Sequence, residues 1–298
     1  MVSKRHLSLF ILVAGFATFG GLQQGGSSKA WATEISAEKD ARNRLSFASR
    51  QSMLTQKIAR NACFVMANID AERYVAKTES TVRQFDNTVH GLRYGDVNLE
   101  LRKETNADVL TRLEAVETLW RTLGAASRQI AAGDVHTVPM AQLILLNMRA
   151  LSAMDDAVDA IEATYGEGVI SPDIVETARL AGRQRVLSQK VSKEVCFLLI
   201  GVESAGNWEM VNNTVAEFDL AMTDLLNGAA ERDIVPPPDR QIKKQLERTQ
   251  KAWVRFKKLL EGLEENLELS PGDRIQLANL SDQALREMDL AVWMYTEQ

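Results

Sequence analysis

Residues 48–57 read Ala-Ser-Arg-Gln-Ser-Met-Leu-Thr-Gln-Lys, and residues 181–190 read Ala-Gly-Arg-Gln-Arg-Val-Leu-Ser-Gln-Lys. The two strings lie 133 positions apart. The same offset carries Cys63-Phe64 onto Cys196-Phe197, Phe85-Asp86 onto Phe218-Asp219, and Trp120 onto Trp253. It drifts by one further along, to 132 between Pro139 and Pro271 and to 134 between Met154-Asp155 and Met288-Asp289. An offset held over so much chain marks an internal duplication, so the fold is one unit written twice.

Apolar residues recur at intervals of three and four along both copies, and strand-like alternation is nearly absent, which predicts an all-α protein. The expected helices span about 41–69, 71–94, 99–132 and 139–164 in the first copy. In the second they span about 172–204, 207–231, 238–267 and 271–296. Ser171-Pro172-Asp173 and Ser270-Pro271-Gly272-Asp273 read as helix starts. Gly95-Asp96, Gly133-Asp134 and Pro236-Pro237-Pro238 read as breaks. Four helices joined by short loops pack as an up-down bundle. The expectation is two tandem four-helix bundles, at 41–165 and 171–298. Gly166-Glu167-Gly168 argues for a break between them and against one continuous helix. Trp120 and Trp253 fall among Leu113, Val116, Leu123 and Leu246, Phe256, Leu260, which assigns them to the core rather than to cofactor stacking.

The first helix of each copy has two faces. Phe47, Leu54, Ile58 and Val65, with counterparts Leu180, Leu187, Val191 and Leu198, form an apolar stripe for their own bundle. Arg50 and Arg183 sit at its edge. The opposite face holds Ser52, Gln56, Ala59, Cys63 and Met66 in one copy and Arg185, Gln189, Ser192, Cys196 and Leu199 in the other. It is small and weakly polar, suited to close helix contact. The two first helices are therefore expected to pack on each other about a pseudo-two-fold axis; a solvated helix back is the alternative. A disulfide between Cys63 and Cys196 and two buried free thiols are both compatible with this arrangement.

Residues 1–32 read as an export signal. Lys4, Arg5 and His6 precede an apolar stretch from Leu7 to Leu22, and Ala30-Trp31-Ala32 offers a small-x-small cleavage site. An uncleaved anchor is the alternative; either way the remainder lies outside the cytoplasm, in the periplasm. No later stretch approaches the ~20 apolar residues of a membrane span, so none is expected in the mature chain. Cleavage removes three cations and no acid, taking the net charge from −5 to −8. That balance argues against nucleic acid and anionic lipid as partners. The two cysteines form no C-x-x-C, and His6, His90 and His136 are scattered, so no metal spacing exists. No nucleophile–base pair, phosphate loop or haem site is present, and Asp155-Asp156 and Glu264-Glu265 read as solvated helix surface. Neither an enzyme nor a cofactor is expected.

The string 181–190 resembles the recurring motif of the type IV pili methyl-accepting chemotaxis transducer N-terminal domain, called PilJ-like, and of the related sensor domain of NarX-like histidine kinases; 48–57 is a weaker match. In nitrate sensors of that family the ligand lies between the first helices of two protomers, held by a motif arginine and nearby backbone. The resemblance places that arginine at Arg185 and the small residue before it at Gly182. The first copy departs at both, with Ser52 and Ser49. It implies a lopsided site, Arg185 with Gly182, Arg183 and Gln189 from one copy, facing Arg50, Ser52 and Gln56 from the other. The planar guanidinium fork suits nitrate, nitrite or a carboxylate. Family members continue into a membrane helix and a kinase or methyl-accepting domain; this chain is expected to report to another protein, a membrane receptor or transporter. The alternative is an interaction or scaffold protein, partnering an envelope receptor, whose inherited pocket binds nothing.

Overall fold

The computed structural model describes residues 35–169, 171–202, 206–265 and 269–296, without the side chains of Glu265 and Thr296. The expected export signal lies outside the described residues. Among the described residues, eight α-helices run in the order α1 (Ala37–Met66), α2 (Ala71–Tyr94), α3 (Ala107–Ala131), α4 (Thr137–Tyr165), α5 (Val175–Leu199), α6 (Trp208–Asn227), α7 (Arg240–Glu265) and α8 (Pro271–Thr296). The class is all-α: two four-helix bundles related by internal duplication. α1 packs on α2 and α4, and α3 joins α2 to α4; α5, α6, α7 and α8 repeat the scheme. α1 also packs directly on α5, so residues 35–298 form one compact unit.

Helix ends follow local chemistry. Ser36 Oγ accepts from the Lys39 amide and starts α1 before the expected residue 41. Asn68 and Asp70, both at positive φ, end it before residue 69. Ser270 Oγ accepts from the Asp273 amide and donates to Asp273 Oδ2, with Pro271 opening the first turn of α8. Ser171 does not cap α5. It accepts from the Ile174 amide in a turn, and the helix begins at Val175. α4 stops at Tyr165, so the bundles are joined by a break, not a continuous helix.

Residues 99–106 differ from expectation. Their leucines fit a helical pattern, yet Leu101 exchanges backbone hydrogen bonds with Asp96 and the Glu104 amide donates to the Arg93 carbonyl. Leu101 is thereby buried without a helix. The second copy repeats the device: Ala229 bridges Ile234, so α6 ends at Asn227, not 231. Both turns follow a glycine at positive φ, Gly95 and Gly228, again 133 apart. A β-carbon on Gly95 would sit 2.8 Å from the Lys103 nitrogen, so glycine is required on both steric and conformational grounds.

The two cores are built alike. Phe85 lies tilted against Trp120 with centroids 4.1 Å apart, and Phe218 stacks on Trp253 at 3.8 Å. Each indole N–H donates to the aspartate following that phenylalanine, Trp120 to Asp86 and Trp253 to Asp219. Burial of such a ring contributes about 1.5–3 kcal/mol, and the aspartate removes the cost of an unpaired N–H.

Cys63 of α1 and Cys196 of α5 are joined by a disulfide across the bundle interface, with Cα atoms 6.1 Å apart. Further up the same helices, a β-carbon on Gly182 would lie 3.8 Å from Ser49 Oγ. Matched positions meet at both ends, so α1 and α5 run parallel about a pseudo-two-fold axis. The bond links residues 133 apart and restricts the unfolded chain. Cys63→Ser should lower the unfolding free energy by about 2–4 kcal/mol, measured by urea titration, with no further loss on adding reductant.

Candidate functional site

α5 is buried from Leu187 to Phe197 except at the half-buried Lys190, because one face serves its own bundle and the other meets α1. The meeting face is polar, so each group on it needs a partner in a region where water is scarce. Those partners come largely from α4 and α8, the helices flanking the seam.

At the N-terminal end of the seam lies Arg185, 6% exposed. Its Nη2 donates to Ser49 Oγ of α1 at 2.6 Å, and Nη1 approaches Asp289 Oδ1 of α8 at 3.4 Å. Arg50 of α1 approaches the other oxygen, Asp289 Oδ2, also at 3.4 Å. Two guanidinium groups thus share one carboxylate, and both contacts are long for charge-assisted bonds, which close to about 2.7–2.9 Å. Nε of Arg185 and Nε of Arg50 are buried without a hydrogen-bond partner. Burial pulls the Arg185 guanidinium below its ordinary range; Asp289 opposes this and Arg50 adds to it. The cluster carries one net positive charge. Gly182 leaves it open backbone: a β-carbon there would come 3.9 Å from Arg185 Nη2.

About two to three turns further along, two more cations cross the seam in opposite directions. Arg60 of α1 reaches the second bundle, donating to Ser281 Oγ at 2.8 Å and pairing with Asp282 Oδ1 at 3.0 Å. Tyr74 and Lys77 also donate to Asp282. Burial alone would raise the Asp282 carboxyl, but Arg60 and then Lys77 outweigh it and hold it at about 2. Lys193 of α5, the repeat counterpart of Arg60, reaches the first bundle. Its Nζ donates to Gln56 Oε1 at 2.8 Å, Asn147 Oδ1 at 2.9 Å and Met148 Sδ at 3.2 Å. All three acceptors are neutral. Burial therefore lowers Lys193 to about 7, with Glu194 raising it and Lys190 lowering it further.

Of the residues singled out from the sequence, Arg185, Gly182 and Arg50 meet at one end of the seam. Gln56 is engaged by Lys193 and donates to the Asn147 carbonyl. Gln189 is fully buried, donates to Ser188 Oγ, and its Oε1 has no partner. Ser52 is buried, and the polar group its hydroxyl faces is the Asp155 carboxylate of α4. Arg183 is placed elsewhere: it is exposed and pairs with Glu217 of α6. Its position at the apolar stripe's edge turns it toward its own bundle's surface. Sequence reasoning missed Asp289, Arg60 and Lys193 as members of the seam. Arg60 and Lys193 sit one residue beyond Ala59 and Ser192 on the face already identified, and their common offset of 133 was the available signal.

The chain belongs to the family of type IV pili methyl-accepting chemotaxis transducer N-terminal domains, PilJ, whose model matches residues 35–144 and 179–282. Both segments contain a motif helix. The methyl-accepting chemotaxis protein McpN of Pseudomonas aeruginosa is 33% identical over 99 residues, which make up 33% of this chain and 18% of that relative. The match thus covers under a fifth of the relative's length. No solved structure matches the chain. Among the described residues, no helix is long and apolar enough to cross a membrane.

Lys193 and the Asp282 that holds Arg60 both make stability rise with pH, in two separate windows. Lys193 binds its proton more weakly folded, at about 7, than unfolded, near 10.5. The unfolded state therefore holds the extra proton between those values, and stability rises with pH across that window, by up to about 1.4 kcal/mol per pH unit. In chemical denaturation from pH 7 to 10, Lys193→Met should remove this part of the slope. Asp282, held at about 2 against an ordinary 3.8, contributes stability that is present above 3.8 and lost as pH falls toward 2. Asp282→Asn should flatten that acid limb.

Proposed function

We propose that the chain is a periplasmic sensor module in which the halves 41–165 and 171–298 act as fused protomers and hold one small planar anion, such as nitrate, nitrite or a carboxylate, at the Arg185 end of their seam. The observation that carries this reading is the shared carboxylate: Arg50 and Arg185 both stand 3.4 Å from Asp289, with two buried Nε–H groups unmatched and one positive charge in excess. A planar oxyanion fits such donors, because a guanidinium fork presents parallel N–H groups. Ser49 Oγ and the open backbone at Gly182 border the same space. The Cys63–Cys196 disulfide agrees with an oxidising compartment. An anion entering here would touch both bundles and bias their seam, the form of input a sensor needs. The response would pass to a membrane receptor or transporter.

A second reading, that of an interaction or scaffold protein with no ligand, draws on the same contacts. Ser49 and Asp289 already give Arg185 two partners, and a guanidinium so placed can serve as a latch between bundles. The two readings differ in their response to small anions.

A thermal-shift screen of nitrate, nitrite and small carboxylates tests the first. Wild type should melt higher with a bound anion, and Arg185→Ala should lose that shift. Asp289→Asn removes the competing carboxylate and should bind the same anion about tenfold tighter, equivalent to about 1.4 kcal/mol. Arg183→Ala, directed at Glu217, should behave as wild type. Silence from both wild type and Asp289→Asn would sink the anion reading and leave the latch.

A further inference from the structure

Arg60 and Lys193 occupy equivalent positions, but what they meet is not equivalent. Arg60 ends on Ser281 and Asp282 of α8. Lys193 ends on Asn147 and Met148 of α4. These two pairs are related by the offset of 134 that also carries Met154-Asp155 onto Met288-Asp289. Where one half sets a carboxylate against its buried cation, the other sets a thioether. A thioether sulfur is a weak acceptor, and it stands 3.2 Å from an amine that is itself 1% exposed.

Among the described residues, Met148 is also the most accessible methionine. It is 39% exposed, whereas Met53, Met154, Met222 and Met288 are fully buried and Met66, Met140, Met210 and Met294 are half-buried. Thioether oxidation follows access to the oxidant and converts an apolar group into one bearing a strongly accepting oxygen. The disulfide nearby on the same seam agrees with a compartment where oxidants are encountered.

We propose that Met148 is a site of two-electron oxidation by a peroxide, and that Lys193 receives the resulting sulfoxide oxygen as the negative pole that Asp282 supplies to Arg60. In the step, the Met148 sulfur lone pair attacks one oxygen of hydrogen peroxide. The S–O bond forms and the O–O bond breaks. The proton on the attacked oxygen passes through solvent to the departing hydroxide, which leaves as water. Sulfur is oxidised by two electrons and the peroxide is reduced by two. The product replaces a weak N–H···S contact by an N–H···O bond between α5 and α4. It binds the two bundles more tightly, and it favours the charged form of Lys193, which burial otherwise disfavours. Glu194 and Lys190 of α5 are the other charges acting on this amine, and neither belongs to α4.

The experiment treats the full mature protein with hydrogen peroxide at pH 7 and follows it by peptide-mapping mass spectrometry and melting temperature. Met148 should gain one oxygen several-fold faster than Met66, Met140, Met210 and Met294. The oxidised wild type should melt higher than the untreated protein. Oxidation of Lys193→Gln, which carries no ammonium, should lower its melting temperature instead. Should Lys193→Gln fail to fold, Met148→Leu decides: the peroxide-induced rise must vanish there while the other methionines react as before. Oxidation of Met148 at the common rate of the half-buried methionines, or a melting shift that is the same with and without Met148, would overturn the proposal.

Discussion

The parallel contact of α1 on α5 is the constraint from which the rest of the structure follows. It brings together two copies of one helix face, and that face is built for closeness: Ala59, Ala62, Ser188 and Ser192 are fully or almost fully buried in it. Small side chains let the backbones approach, and the approach expels water from glutamines, serines and cations that sequence has put on the same surface. A dry polar seam is stable only if its members are paired. α4 and α8 are held against α1 and α5 by their own bundles, and they bring Asn147, Ser281, Asp282 and Asp289 to the seam. The core of each bundle is thus also the scaffold that aims these groups.

Duplication within one chain changes what such a seam can be. In a two-fold dimer of separate protomers, every site occurs twice and identically. Here the two halves are free to diverge, and they do so at the positions that matter chemically. Arg185 faces a half that carries Ser52 in its place. Arg60 has a carboxylate and Lys193 has a methionine. Arg44 is buried with Asp40 and Glu104 at the far end of the first bundle, while the equivalent Thr177 accepts from the Val235 amide. One half therefore keeps its buried charges matched by acids, and the other meets its crossing cation with neutral dipoles. The net positive cluster at Arg50, Arg185 and Asp289 and the weakly held charge of Lys193 are both consequences of that asymmetry.

Much of the fold was legible because helices announce themselves through local spacing. The offset of 133 located equivalent elements before any contact was known, and the small polar face of α1 and α5 identified the side that needed a partner. The errors were also local in origin. Leu99 and Leu101 fit a helical stripe, yet Gly95 turns the chain so that Leu101 is buried by bridging Asp96 instead. Arg183 matched the motif as well as Arg185, but two residues along a helix is a rotation of about 200°. One points across the seam and the other to Glu217 on the surface.

By itself the sequence determined the helical class, the duplication and the face through which the copies meet, because each depends on spacing along one chain. Only the tertiary structure decided that Asp289 stands between Arg50 and Arg185, and that Met148 rather than an acid lies against Lys193. Those pairings join residues 239, 104 and 45 positions apart. No periodicity encodes them, since they are set by where α4 and α8 come to rest on the seam after the two cores have packed.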